Sequence, residues 1–295
     1  MAVDREILFR LATSQTFESA VRATPLGEQL ARQAAARYVA GTTQMAALEA
    51  AREQRARGAG SSLDLFGEQV TDIAVAEQVA ADYLELADQV NTMPGDAWLS
   101  VDLSHLGLDV DPVGCADRLA AIAVRLTGGR RIQVGAEDYS RADTVLQCVE
   151  AVAGRGLADR LGATAQANFR RTPDDLERLV AAGVYIRLVK GAYVEPGDRA
   201  LPFGEPTDIA FLRLAHWLAD AGAGFALATH DGVVREALLT ALGPRPVEQL
   251  LGVRPAVIDD LVKRGIPIRI YVPFGDNWFR YWMRRLAESR GTGMV

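Results

Sequence analysis

Residues 172–189 read Thr-Pro-Asp-Asp-Leu-Glu-Arg-Leu-Val-Ala-Ala-Gly-Val-Tyr-Ile-Arg-Leu-Val. Thr172 is placed to cap a helix, Pro173 suits the first helical position, and Asp174 and Asp175 favour the positive end of the helix dipole. Gly183 then supplies the helix stop, and Tyr185–Val189 is a short run suited to a strand. This helix-then-strand unit sets the rhythm for the chain on either side. Eight apolar or β-branched runs recur about every 30 residues, as βα units do: Leu63–Phe66, Trp98–Leu103, Arg131–Ala136, Ala163–Asn168, Tyr185–Val189, Phe225–Thr229, Val247–Gly252 and Pro267–Val272. Helical patterns lie between them. One is Val70–Val90, where Ile73, Val75, Val79, Tyr83, Leu84, Leu86 and Val90 are spaced for one buried face. Another opens at Thr207-Asp208.

Eight strands joined by connections that force parallel neighbours close most economically into a (β/α)8 barrel. An open doubly wound sheet is the alternative. No G-x-G-x-x-G turn follows an early strand, so a dinucleotide site of that kind has no sequence support, and no Walker loop, H-E-x-x-H or C-x-x-C occurs. The expectation is therefore an α/β protein with a TIM-type barrel over 61–295. Residues 1–60 supply two or three helices that pack on it, ended by a break at Arg57-Gly-Ala-Gly-Ser-Ser62.

The composition agrees with a globular chain. Of 295 residues, 49% are hydrophobic and 24% charged, enough apolar surface to bury a full core. A net charge of -6 gives no general attraction to phosphate backbones, so nucleic-acid binding is not expected. No metal site is expected either. Cys115 and Cys148 are too few for a disulfide framework and fall in helical patterns, which fits buried thiols in a reducing, cytoplasmic setting. Neither a leader nor a run of about 18 apolar residues is seen.

In a barrel the chemistry belongs at the C-terminal strand ends. The fifth strand ends in Arg187-Leu-Val-Lys-Gly-Ala-Tyr193, where Arg187 and Lys190 fall on opposite faces unless Gly191 marks a bulge. Two cations there suit a phosphate-bearing cofactor or a flavin, Lys190 could instead be a Schiff-base nucleophile, and solvated charge is the plain reading. The sixth strand exits at Thr229-His230. His105 is a weaker candidate, and His216 reads as packed or capped. Gln166 and Asn168 end the fourth strand, where an amide can bind a heterocycle edge or simply be a satisfied buried group. In the last helical segment Tyr281, Arg284 and Glu288 share one side, and the adjacent Arg285 lets two guanidinium forks converge on a carboxylate. Facing water near the helix C-terminus is the alternative for that pair.

Taken in order, Leu63-Asp-Leu-Phe-Gly-Glu68, Ala136-Glu-Asp138, Gln166-Ala167, Arg187-Leu-Val-Lys-Gly-Ala-Tyr193, Thr229-His230, Tyr271-Val-Pro-Phe-Gly275 and Tyr281-x-x-Arg-Arg-Leu-x-Glu288 resemble the proline dehydrogenase family, over about residues 60 to 290. The resemblance implies a distorted barrel that binds FAD. It also implies oxidation of L-proline to Δ1-pyrroline-5-carboxylate by hydride transfer from C5 to flavin N5, with electrons passed to a quinone or another acceptor. By the same resemblance Arg284 and Arg285 clamp the substrate carboxylate, and Tyr271 and Tyr281 wall its ring. Gln166, Arg187, Lys190, Gly191, Ala192, Thr229, His230 and Glu288 match positions that hold FAD, and Thr207 matches less closely. A monofunctional bacterial enzyme is implied, coupled to a separate pyrroline-5-carboxylate dehydrogenase, with peripheral association at the inner face of the membrane as one route to a quinone.

Two positions depart from the family pattern. Ser100-Val-Asp102-Leu-Ser104 carries Asp102 where the family has lysine, and Gly135 stands where it has aspartate. The paired change implies a rearranged, charge-balanced pocket with Asp102 near the substrate nitrogen or an arginine, or else merely hydrogen-bonded into the strand mouth. A related flavoenzyme for another cyclic or N-substituted amino acid is the nearest competing function. A barrel aldolase using Lys190 is the competitor from a different class. The secondary amine must be neutral to expel a hydride, so the rate is expected to rise with pH.

Overall fold

The computed structural model describes residues 14–289 apart from Glu68, Ala192 and Val194, and excluding the side chains of Gln15 and of residues 287–289. Three helices come first, α1 (Gln15–Arg22), α2 (Pro25–Ala35) and α3 (Gln44–Ala56). Ser14, Thr24 and Thr43 cap them by accepting a backbone N–H three residues on. The strands are β1 (Gly60–Leu65), β2 (Ala97–Val101), β3 (Ile132–Val134), β4 (Leu161–Gln166), β5 (Tyr185–Val189), β6 (Phe225–Ala228), β7 (Val247–Leu250) and β8 (Ile268–Phe274). They pair in sequence order, all parallel, and β1 closes on β8, so the expected (β/α)8 barrel is the fold. The helices between them are α4 (Ile73–Thr92), α5 (Pro112–Arg125), α6 (Ala142–Val152), α7 (Thr172–Ala181), α8 (Glu205–Asp220), α9 (Gly232–Leu242) and α10 (Pro255–Lys263), and α11 (Trp278–Ser289) follows β8.

Register and alternation divide the strand residues between two environments. Paired residues share a face and every second residue points inward. Outward residues such as Leu63, Leu99, Val134, Ile186, Leu227 and Val272 meet the helix layer in one continuous apolar core. The inward series mixes apolar residues such as Trp98, Val189, Ala226 and Leu250 with a polar set: Ser62 and Asp64 on β1, Ser100 on β2, Gln133 on β3, Thr164 and Gln166 on β4, Arg187 on β5, Glu248 on β7 and Tyr271 on β8. That polar set makes the upper barrel interior the candidate site.

The closure is irregular. α3 lies against β1 and β8, the place a last barrel helix would take. α11 instead shares a second apolar cluster with α2, in which Trp278, Phe279, Tyr281 and Met283 meet Ala31, Ala35, Tyr38 and Val39. That packing sets Tyr281 beside Phe66, which follows β1, with ring centroids 5.1 Å apart.

Several local expectations are corrected. β1 begins at Gly60, so Gly60-Ser-Ser62 is strand, because Gly60 pairs with Arg269 and buried Ser62 meets Arg187. Ile73 and Val75 are about half exposed, since α4 starts only at Ile73 and its buried face runs through Val79, Tyr83, Leu86 and Val90. Thr172 does not cap α7. Its hydroxyl donates to the Gln166 carbonyl at 2.5 Å, leaving Arg171 at the cap position. α8 opens at Glu205, two residues ahead of Thr207. His216 is exposed on α8 and not packed.

Candidate active site

Arg187 organises the barrel interior. Its Nε donates to Glu248 Oε2 at 2.5 Å, its Nη2 to Ser62 Oγ at 3.2 Å and its Nη1 to Ser100 Oγ at 3.5 Å, joining β5 to β7, β1 and β2. Arg187 and Glu248 are both buried, so the pair offsets two desolvation costs that neither could bear alone. The guanidinium carbon lies 6.0 Å from the Tyr271 ring centroid.

Asp64 sits beside this pair, 4% exposed, opposite Ser100 in the β1–β2 register. Burial pushes its carboxyl up to about 7, against the opposing pull of Ser100, Arg187 and Tyr271. The Tyr271 phenol is held well above its ordinary value, first by burial and then by the charges of Asp64 and Asp102. Asp102 follows β2 and reaches across to Gly135, where a built Cβ would stand 1.9 Å from its Oδ1.

The roof of the site comes from α11. The Tyr281 ring lies 6.2 Å from that of Tyr271, and the Arg285 guanidinium is stacked 5.1 Å over Tyr281. The structure thus pairs the tyrosine with the arginine four residues on, and the Nε of Arg284, like that of Arg285, is buried. Both arginines are half-buried, so neither simply faces water.

Beyond β6, Thr229 Oγ1 accepts from the Asp231 amide at 3.1 Å. His230 Nε2 accepts from the Leu250 amide at 3.3 Å, which assigns the ring proton to Nδ1. That Nδ1 is buried and has no partner among the described residues. Burial, aided by Arg285, Arg254 and Arg235, lowers the imidazole to about 3, so His230 is neutral. Lys190 leaves the barrel interior. Its Nζ is held 2.5 Å from Asp208 at the start of α8 and 2.7 Å from Asp231 at the start of α9. Burial works the other way, yet Lys190 and the Val234 amide hold Asp231 below the ordinary carboxylate range.

Gly191 adopts φ +140, a region L side chains rarely enter, and a Cβ there would lie 2.1 Å from Asn168 Oδ1. Gln166 is buried and its amide donates to the Glu137 carbonyl at 2.8 Å, while the Asn168 amide donates to the Tyr193 carbonyl at 3.2 Å. Thr207 is buried inside α8, where its hydroxyl donates to the Pro202 carbonyl. Ala192 and the Glu288 side chain lie outside the described residues. His105 is buried against Gly67 and lowered by burial to about 4. Sequence reasoning passed over Asp64, Glu248, Ser62 and Ser100 as site residues. The alternation Ser62-x-Asp64 and Ser100-x-Asp102, polar at every second place in otherwise apolar strands, was the signal for three of them.

No cluster of potential metal ligands occurs among the described residues. Among them, too, no helix is long and apolar enough to cross a membrane.

Similarity to known proteins agrees with this geometry. In solved structures, proline utilization A (PutA) from Bdellovibrio bacteriovorus, inactivated by N-propargylglycine, superposes with TM-score 0.81 at 17% identity, over 97% of this chain and 36% of that one. PutA from Bradyrhizobium japonicum gives TM-score 0.75 at 22% identity, over 88% of this chain and 31% of that one. The chain thus spans about a third of the PutA chains, and at such identities the likeness establishes the fold. Proline dehydrogenase from Deinococcus radiodurans is 31% identical over 280 residues, 90% of each chain. Proline dehydrogenase 1 from Bacillus subtilis strain 168 is 31% identical over 269 residues, 87% of each. The family described as Proline dehydrogenase matches residues 47–293, and with the barrel, the polar interior and these relatives in agreement, the chain belongs to that family.

Proposed function

We propose that this member of the proline dehydrogenase family oxidises L-proline to Δ1-pyrroline-5-carboxylate with FAD as its cofactor and passes the electrons to a quinone or another acceptor. The observation that carries the reading is the convergence of Arg285 over Tyr281, and of Tyr281 on Tyr271, above the Arg187 cluster. Such a roof offers guanidinium groups to a small carboxylate and aromatic walls to a saturated ring.

The residues present fit FAD. A buried imidazole donor without a partner among the described residues, and a bare glycine backbone where a side chain would clash with Asn168, are features a ligand at the mouth would explain. Gln166, Arg187, Lys190, Gly191, Thr229 and His230 would hold it, Lys190 from its place between the starts of α8 and α9. When bound, the flavin supplies at N5 an acceptor for the C5 hydride. Arg284 and Arg285 orient the substrate by its carboxylate, Tyr271 and Tyr281 exclude water from its ring, and Arg187 brings positive charge to the barrel interior.

Lys190, engaged by two carboxylates, is badly placed to serve as a Schiff-base nucleophile, and the aldolase reading has no support from the family. A relative acting on another cyclic or N-substituted amino acid is favoured by one feature, the carboxylate of Asp102 lying across Gly135. Partnership with a separate pyrroline-5-carboxylate dehydrogenase, and peripheral contact with a membrane quinone, complete the proposal. The test is the visible spectrum of the anaerobic holoprotein before and after L-proline. Flavin bands that bleach support the reading. Bands that persist move it to another amine, and a colourless protein that FAD cannot reconstitute overturns it.

A further inference from the structure

All three nitrogens of the Arg187 guanidinium are held, and each by a different strand: Nε by Glu248 on β7, Nη1 by Ser100 on β2 and Nη2 by Ser62 on β1. The two serine hydroxyls accept without altering its charge. Glu248 both accepts and neutralises, at 2.5 Å, with both side chains buried. Its other oxygen, Oε1, is buried without a hydrogen-bond partner, so among the described residues the carboxylate bonds to Arg187 alone. An unpaired guanidinium in such an interior acts over a long range, whereas a close ion pair is a dipole whose field fades faster with distance. We propose, on the cofactor reading above, that Glu248 is a positioning residue acting through Arg187: it fixes the guanidinium in the barrel and offsets its charge, and so holds the reduction potential of the bound flavin below the value that Arg187 alone would impose.

Positive charge beside a flavin stabilises its electron-rich reduced form. A full charge there favours taking electrons from the substrate and hinders passing them on. A compensated pair leaves both half-reactions open, so Glu248 serves the second of them, in which electrons leave for the quinone or other acceptor. Two neighbours could share the role. Tyr271, whose ring centroid lies 6.0 Å from the guanidinium carbon, is neutral, because burial holds its phenol well above the ordinary value. Asp64 also feels Arg187 and is the rival. It lies opposite Ser100 in the β1–β2 register, whereas the ion pair with Arg187 is made by Glu248.

The test measures the flavin potential of the holoprotein, anaerobically against a reference dye and without L-proline, in the parent, Glu248→Gln, Glu248→Asp and Asp64→Asn. Glu248→Gln keeps an oxygen for Arg187 Nε and removes the charge. Its ratio of reduced to oxidised flavin at a fixed solution potential should rise about tenfold, which for a two-electron couple is about 30 mV. Glu248→Asp keeps the charge but draws it back by one methylene, so its ratio should rise about threefold, or about 14 mV. A parent-like potential in Glu248→Asp overturns the proposal even if Glu248→Gln does not fold. A lowered Tm with unchanged potential is what a purely structural pair would give, and it overturns the proposal too. A rise confined to Asp64→Asn gives the role to Asp64 and has the same effect. A parent that takes up no FAD is a distinct result: the cofactor reading itself then fails, and the role of Glu248 falls with it.

Discussion

Asp102 fills the space that a side chain at Gly135 would require: its Oδ1 stands 1.9 Å from where the Cβ would be. Gly135 is not among the glycines with positive φ, so the constraint is steric and comes from one neighbour. Gly135→Ala should therefore destabilise the protein by about 1–3 kcal/mol, the range for overpacking a filled site. Asp102→Ala should remove most of that cost, giving a strong coupling in a double-mutant cycle followed by thermal unfolding. The same Asp102→Ala variant tests the pocket. If proline affinity and turnover both stay unchanged, Asp102 has no part in substrate recognition.

His230 predicts an acid dependence. Burial lowers its folded value to about 3, below the ordinary imidazole value of 6.5. Between those values the unfolded chain binds a proton that the folded chain does not, so stability is lost as pH falls through that window. His230→Gln keeps a polar side chain but cannot take up that proton. Its Tm should fall less than that of the parent between about pH 7 and pH 4.5. An equal fall in both would mean that His230 is protonated in the folded state.

Glu248 should matter more to stability than its polar neighbours. Its Oε2 accepts the 2.5 Å bond from Arg187 Nε inside the barrel, with both side chains buried. Glu248→Gln strands the guanidinium and should cost about 3–5 kcal/mol, whereas Ser62→Ala, which removes one 3.2 Å bond, should cost about 1 kcal/mol. Denaturant unfolding of the two variants at neutral pH measures the difference.

These residues also indicate how far the sequence could be read. The barrel was legible because strand periodicity, turn glycines and regular spacing act locally, as Gly183 and Tyr185–Val189 illustrate. Strand ends drifted where an end depends on a distant partner. Gly60-Ser-Ser62 becomes strand only because β8 runs alongside. Arg187, Lys190, His230 and the arginine pair stood out by their chemistry at strand or helix ends. Asp64 and Glu248 did not, because their meaning lies in which strands close beside them. The direction taken by Lys190 depended likewise on two helix starts brought together by the fold. The exposure of Ile73 and Val75 shows the limit of helical spacing alone, which gives a face but not where the neighbouring layer ends.

Arg285 carries the sharpest kinetic prediction. Its guanidinium is stacked 5.1 Å from the Tyr281 ring, and Tyr281 in turn sits against Phe66 and Tyr271. Lysine keeps the charge but loses the planar fork and the stacking surface. If Arg285 grips the substrate carboxylate equally before and during the reaction, Arg285→Lys should raise KM for L-proline about 10–100-fold with kcat little changed. Because the side chain is only half-buried, Tm should move by no more than about 2 °C. A matching fall in kcat with KM unchanged would place the grip in the transition state alone, and Arg285 would then act on the reacting centre and not as a clamp. Steady-state kinetics at one pH, with an acceptor held saturating, separates the two.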